Sequence, residues 1–231
     1  MFDRILYRLR AKWRYRRMRI FVRNMNVSNG ARILDLGGRP DLWAHVDEDV
    51  RITLLNRPNE IDAMAQHAGA RFDLLSGDAC NLQRLAASYD FVFSNSVLEH
   101  VGSARRQAQF AETIRHGRSY WVQVPAPAFP LEVHCRVPLW WLLPSRIRKR
   151  MIWKWYRGSA RFKGRQMAGT RPIGRKRLRE LFPDGQFLTE RWFGLPKSYY
   201  VFRTKPVTNT VPISAYSGPP PGQGQSLWSK G

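Results

Sequence analysis

The sequence predicts an α/β domain built around an open, doubly wound and mostly parallel sheet. Two observations carry that prediction. Short apolar runs alternate with helix-patterned stretches between Ala31 and Ala126, the signature of consecutive βαβ units. The first run, ARILDLGG, closes on an acid and two glycines, as a strand does when it turns into a ligand-binding loop. The 231 residues, 43% of them hydrophobic, suffice for one domain with a true core plus extensions.

At the N-terminus, residues 1–27 place Phe2, Ile5, Leu6, Leu9, Trp13 and Ile20 at helical spacing, with arginines filling the other faces. A basic amphipathic helix is therefore expected. It either lies in a membrane interface or docks its apolar stripe on the domain with the arginines in water, and the two readings are compatible. The α/β domain is expected over 28–204. ARILDLG, VRITLLN and RFDLLSGDA supply strands, and Phe91–Ser94 forms a fourth inside YDFVFSNSVLEHV. SARRQAQFAETIRHG reads as a helix with Ala104, Ala108, Phe110, Ala111 and Ile114 on one face and Gly117 as its C-terminal cap. RSYWVQVPA is the fifth strand.

After Pro125 the pattern breaks. Segment 126–172, rich in proline, tryptophan and arginine, is too long for a connector and should carry its own helices, in VPLWWLLP and RIRKRMIWKWYRG. PIGRKRLRELFPDG then predicts a helix, and QFLTERWFG with SYYVFRTK an antiparallel hairpin that closes the sheet. The tail, 205–231, is polar and rich in proline and glycine, so it is expected to be disordered.

The net charge of +22 is unevenly placed. Residues 1–27 carry nine Lys/Arg against one acid, and 28–132 carry ten against thirteen. Residues 133–179 carry fifteen basic residues and no acid. A near-neutral domain between two cationic segments suggests an anionic surface as partner. No apolar run reaches the ~18–20 residues of a transmembrane helix, and the arginine-rich start lacks the apolar core of a signal peptide. Cys80 and Cys135 show no metal spacing and are expected as reduced thiols of a cytoplasmic protein.

Four motifs, ILDLGG, TLLNRP, SGDACNL and FVFSNSVLEHVG, occur in an order and spacing that resemble the class I S-adenosylmethionine-dependent methyltransferases. The resemblance is to the small-molecule "LEHV" group, type 11/12-like, and covers about residues 30–130, with the closing hairpin matching more loosely. It implies a Rossmann-like, seven-stranded, mostly parallel sheet with helices on both faces, and S-adenosylmethionine as cofactor. Gly37 and Gly38 would let the backbone approach the ligand. Asp35 matches the acid near the cationic methionine portion; as a plain residue it also suits a helix cap or turn. Asn56 stands where many relatives have Asp or Glu on the ribose hydroxyls, and its amide oxygen can still accept one hydrogen bond. Asp78 matches the acceptor for the adenine amino group, with the Ala79 backbone beside it. Asn95 and Ser96 would line the floor near the methyl group. Arg39-Pro40 departs from the pattern by removing the extra glycine.

The planar-amine motif of DNA- and RNA-amino-methylating families does not occur in SNSVLEHVG. His100 is the candidate general base, since an imidazole with a pKa of about 6.5 accepts a proton near neutrality. Orienting work beside Glu99 fits it equally. Some quinone O-methyltransferases carry a Glu three residues before this Glu-His pair as part of a divalent-metal site; here Ser96 stands there, so no metal is expected. Glu132 and His134, in FPLEVHCRVPLWW, form a second pair, suited to substrate recognition, to base catalysis or to a structural ion pair. The insertion interleaves Trp140, Trp141, Trp153, Trp155 and Tyr156 with basic residues, as single-stranded nucleic-acid platforms do and as interfacial segments on anionic lipid do. The N-terminal helix favours the membrane.

The expected activity is therefore methyl transfer to an oxygen, less readily a nitrogen, of a small-molecule, glycan- or lipid-linked acceptor. It would take place on the cytoplasmic side, peripheral to the inner face of a membrane. An RNA acceptor is the first rival. A non-catalytic scaffold binding anionic surfaces is the second, kept open by Arg39 and Asn56.

Overall fold

The computed structural model describes residues 2–65, 69, 71–130, 135 and 137–205, with the backbone alone for 2–10, 63 and 65. Five strands run parallel: β1 (Arg32–Leu36), β2 (Arg51–Asn56), β3 (Phe72–Ser76), β4 (Phe91–Asn95) and β5 (Ser119–Pro125). The hairpin β6 (Gln186–Trp192) and β7 (Leu195–Arg203) adds two antiparallel strands beside β5. The sheet order is β3-β2-β1-β4-β5-β7-β6, so the seven-stranded, closed-by-hairpin architecture is the one expected. From β1 the chain winds outward to β3, then returns to place β4 on the other side of β1. That reversal is the switch point at which open α/β sheets bind ligands.

Both faces of the sheet are covered, which is why its parallel strands read as near-continuous apolar runs. One face packs Leu34, Leu36, Val92 and Val122 against α5 (Ala104–His116) and α8 (Arg175–Leu181). The other packs Ile33, Phe91, Phe93 and Trp121 beneath α1 (Phe2–Met25) and the short α2 (Pro40–Trp43). Short helices α3 (Pro58–Ala65) and α4 (Gln83–Ala86) complete the connections around β3.

The amphipathic helix is thus part of the core. The stripe it buries is Met18, Phe21 and Met25, all at 3% exposure or less, whereas Trp13 and Ile20 of the expected stripe are only half-buried. Phe21 forms the centre of an aromatic cluster, its ring 4.9 Å from Phe93, 5.7 Å from Trp121 and 5.9 Å from Trp43.

Gly117 is the C-cap of α5, as expected; its φ is −59°, and its N–H donates to the Ile114 carbonyl. A Cβ there would lie 2.4 Å from the Val92 side chain, so glycine is required by close helix–strand packing. The insertion does carry helices: a 3-10 turn at Trp140–Leu142, α6 (Ser145–Arg157) and α7 (Arg161–Gly169). They close over a small core of their own, built on Cys135, Trp140 and Met167. Both cysteines are buried and neither forms a disulfide, and burial pushes the Cys80 thiol up to about 11. The tail expected to be disordered lies, from 206 on, outside the described residues.

Candidate active site

At the carboxyl end of β1 the chain turns through Gly37, φ +76°, a backbone angle that favours glycine. The two glycines do distinct work. A Cβ on Gly37 would meet the Val97 methyls at 2.8–2.9 Å, and one on Gly38 would strike the Asp35 carboxylate at 1.9 Å. The loop is therefore folded tightly over Asp35 and against the segment that follows β4.

Asp35 is fully buried. Its Oδ2 accepts a 2.7 Å hydrogen bond from the Trp43 indole, while Oδ1 has no partner among the described residues. Burial raises its pKa to about 7, with the Trp43 hydrogen bond opposing. An enclosed carboxylate with one unsatisfied oxygen has every reason to accept a cationic donor. Asn56, at the end of β2, donates from Nδ2 to the Gly38 carbonyl at 2.8 Å. It pins the loop, and its Oδ1 remains the atom able to accept a ribose hydroxyl.

Asp78 is partly exposed, and its two oxygens are gripped by Arg106 Nη2 at 2.8 and 3.1 Å. The Cys80 backbone N–H adds a third bond at 3.0 Å. Burial pushes the Asp78 pKa up, but the Arg106 and Cys80 hydrogen bonds outweigh it and hold the carboxyl below its ordinary range. Ala79 beside it packs on the core.

On the other side of the switch point, Ser96 adopts φ +57°, and its hydroxyl donates to Gln123 Oε1 at 2.7 Å. Asn95 Oδ1 accepts from Arg17 Nη1 of α1 at 2.7 Å. Three residues away along α1, Arg14 pairs with Asp41 just beyond the Gly37 loop at 3.6 Å. The turn of α1 from Trp13 to Arg17 thus touches both sides of the β1–β4 cleft. The same turn holds a buried ion pair on the hairpin: Lys197 Nζ lies 4.2 Å over the Trp13 ring and 2.9 Å from Glu190. Tyr200 donates to the second Glu190 oxygen at 2.7 Å. Burial pushes the Glu190 pKa up, but the Lys197 contact outweighs it and holds the carboxyl low.

Glu99 and His100 lie in a 3-10 turn, Leu98–His100, directly after this floor. Glu99 is buried, and its Oε1 lies 3.8 Å from His100 Nε2. His100 Nδ1 is 3.2 Å from the hydroxyl of Thr170, and that hydroxyl donates to the Gln166 carbonyl at 2.8 Å. With its proton so committed, Thr170 accepts from Nδ1–H, which leaves Nε2 as the nitrogen that takes up a proton, beside a carboxylate. His134 and its companion Glu132 lie outside the described residues.

The structure thus brings Asp35, Gly37, Gly38 and Asn56 into one loop assembly and sets Asn95, Ser96, Glu99 and His100 across from it. Arg17, Trp43, Arg106 and Thr170 are the site residues that motif reading misses. Arg17, Arg106 and Thr170 act from distant segments, and Trp43 from the short helix after the loop, by contacts that no local pattern announces.

Known proteins share the fold that carries these residues. Residues 37–119 match the family model described as a methyltransferase domain. The methyltransferase domain of bacterial CtHen1-CN superposes with a TM-score of 0.51 at 15% identity, over 82% of this chain and 96% of that one. Magnesium protoporphyrin IX methyltransferase from Synechocystis PCC 6803, solved with bound S-adenosylhomocysteine, gives 0.50 at 11% identity, over 81% and 80%. No curated protein sequence matches the chain.

Proposed function

We propose that this chain, whose residues 37–119 match a methyltransferase-domain model on a class I fold, is an S-adenosylmethionine-dependent methyltransferase that methylates an oxygen of a small-molecule, glycan- or lipid-linked acceptor at an anionic membrane surface. The observation that carries the cofactor reading is the loop at the β1–β4 switch point, folded over an Asp35 carboxylate with one buried, unsatisfied oxygen. Asp35 would receive the cofactor's ammonium, Asn56 a ribose hydroxyl and Asp78 with the Ala79 backbone the adenine edge. When bound, the cofactor supplies a sulfonium methyl open to in-line displacement, a reaction governed by alignment and exclusion of water. Asn95 and Ser96 form the floor on which that alignment rests, and His100 Nε2 accepts the proton that an attacking hydroxyl must lose.

The membrane reading is supported by charge and by shape. Fifteen basic residues and no acid fall between 133 and 179. The β6–β7 turn, three residues past the Pro125–Ser198 pairing, extends beyond the same edge of the sheet as the Gly37 loop. It presents Trp192, Phe193 and Leu195 to solvent, Phe193 at 87% exposure. Among the described residues no helix is long and apolar enough to cross a membrane; the contact proposed is a peripheral one, through the hairpin tip and the basic segments.

Titration calorimetry with S-adenosylmethionine tests the core of the proposal. Saturable binding is expected in the wild type and weakened binding in Asp35→Ala. No saturable heat from the wild type overturns it in favour of a non-catalytic scaffold.

A further inference from the structure

We propose that the cavity between α6 and α7 is the acceptor site and that it holds the phosphate headgroup of an acceptor carried on an apolar chain. The inference rests on the methyltransferase reading only for what happens next to the headgroup; the cavity and its chemistry stand by themselves. The cavity measures about 610 Å³, a volume that accommodates a compact ligand. Trp140, Trp141, Ile152, Trp153 and Met167 give it apolar walls, and Trp140, itself buried, stacks on Trp155 at 5.3 Å to make a rigid back.

Four cations, Arg148, Lys149, Arg157 and Arg171, line the same space. Among the described residues no carboxylate pairs with any of them. Two are held in place by indoles instead: the Arg148 guanidinium lies 5.2 Å over Trp141, and that of Arg157 lies 4.7 Å over Trp153. A guanidinium set on an aromatic face is oriented without being neutralised, so its fork remains available to a phosphate. Such a site pairs unneutralised positive charge with flat apolar walls. Its complement is an anionic head on an apolar chain, which a neutral glycan lacks on both counts.

Position connects this cavity to the chemistry. Thr170 lines it and touches His100 Nδ1 at 3.2 Å, and the Arg171 N–H donates to the Glu99 carbonyl at 2.7 Å. Val97, at the start of the same segment, packs on Gly37. Residues 97–100 therefore border both the cofactor loop and the cavity, so the two open onto the same segment. A phosphate seated by Arg148 and Arg171 would leave the group attached to it beside His100.

The cavity's tryptophans provide the measurement. Decyl phosphate, kept below its micelle concentration, is expected to change the full chain's tryptophan emission saturably without any cofactor present. Decyl maltoside, neutral and of the same chain length, should bind at least about tenfold more weakly, as expected for loss of charge-assisted hydrogen bonds. The double variant Arg148→Ala/Arg171→Ala should weaken decyl phosphate by a similar factor. Trp153→Ser should weaken both amphiphiles; each of these cavity residues is partly or largely exposed, so the fold should survive. Equal affinity for the two amphiphiles would overturn the phosphate assignment. Equal affinity of inorganic phosphate would remove the lipid, and displacement of decyl phosphate by a short oligouridylate at lower concentration would assign the cavity to RNA. S-adenosylmethionine calorimetry, run on the same samples, reports separately on the cofactor loop.

Discussion

Asp35 decides most at the scale of single residues. Its carboxyl titrates near 7 in the folded chain, against about 3.9 when unfolded. The native state therefore holds an extra proton between those values, and stability falls as pH rises through that window and levels off above it. A bound cation favours the ionised form, so affinity for S-adenosylmethionine should climb from pH 5.5 and flatten above about 7. Asp35→Asn should abolish both slopes, which calorimetry and urea unfolding across that range would read. A pH-independent affinity in the wild type would mean that Asp35 does not meet the cofactor. The positions Asp35, Gly37, Gly38 and Asn56 were legible because a short motif fixes them together. Their partners were not: Trp43 on Asp35 and Arg106 on Asp78 become neighbours only through the fold. The motif marks where the glycines stand, yet only the packing reveals that they accommodate Val97 and Asp35.

Among the elements, α1 carries the strongest consequences, because it joins the core, the site and the hairpin. Phe21 is fully buried among Phe93, Trp121 and Trp43. Phe21→Ala should cost about 3–5 kcal/mol in urea unfolding, through lost transfer free energy and a cavity. A loss below 1 kcal/mol would mean that α1 is not seated on the sheet in solution. The Glu190–Lys197 pair should behave asymmetrically. Glu190→Gln leaves a buried ammonium uncompensated and should cost about 3–5 kcal/mol, while Glu190→Leu with Lys197→Met should be close to neutral. If the two changes cost the same, the pair is stabilising in itself. The sequence made the strands legible because a sheet buried on both faces writes apolar runs. It made the docked stripe of α1 illegible, since a helix with Arg14, Arg16, Arg17, Arg19 and Arg23 shows no clean polar face. Met18, Phe21 and Met25 stand out only once the sheet is there to receive them.

The whole molecule combines an excess of positive charge with an apolar tip at the active-site edge. Phe193 and Gly194 form the two-residue turn of the hairpin, with φ +48° and +78°. Tight hairpins of this kind favour Asn or Gly at both positions, and a phenylalanine held in the left-handed region carries a backbone cost. Its ring gains nothing in return from the core, because it is 87% exposed, with Trp192 and Leu195 also reaching solvent beside it. A strained, exposed aromatic fits the proposed membrane contact, in which the ring would leave water while the arginines stay on headgroup phosphates. Flotation with phosphatidylglycerol vesicles should therefore recover the protein at low salt, and recovery should fall as salt screens the charge. Phe193→Asn should relieve the turn, leaving thermal stability unchanged or higher, yet weaken vesicle binding by about tenfold or more, the worth of burying one phenylalanine. Zwitterionic vesicles should bind poorly in both proteins. If Phe193→Asn floats as well as the wild type on anionic vesicles, the hairpin tip is not the contact. Membrane attachment would then have to come from charge alone, with the active-site edge free to face elsewhere.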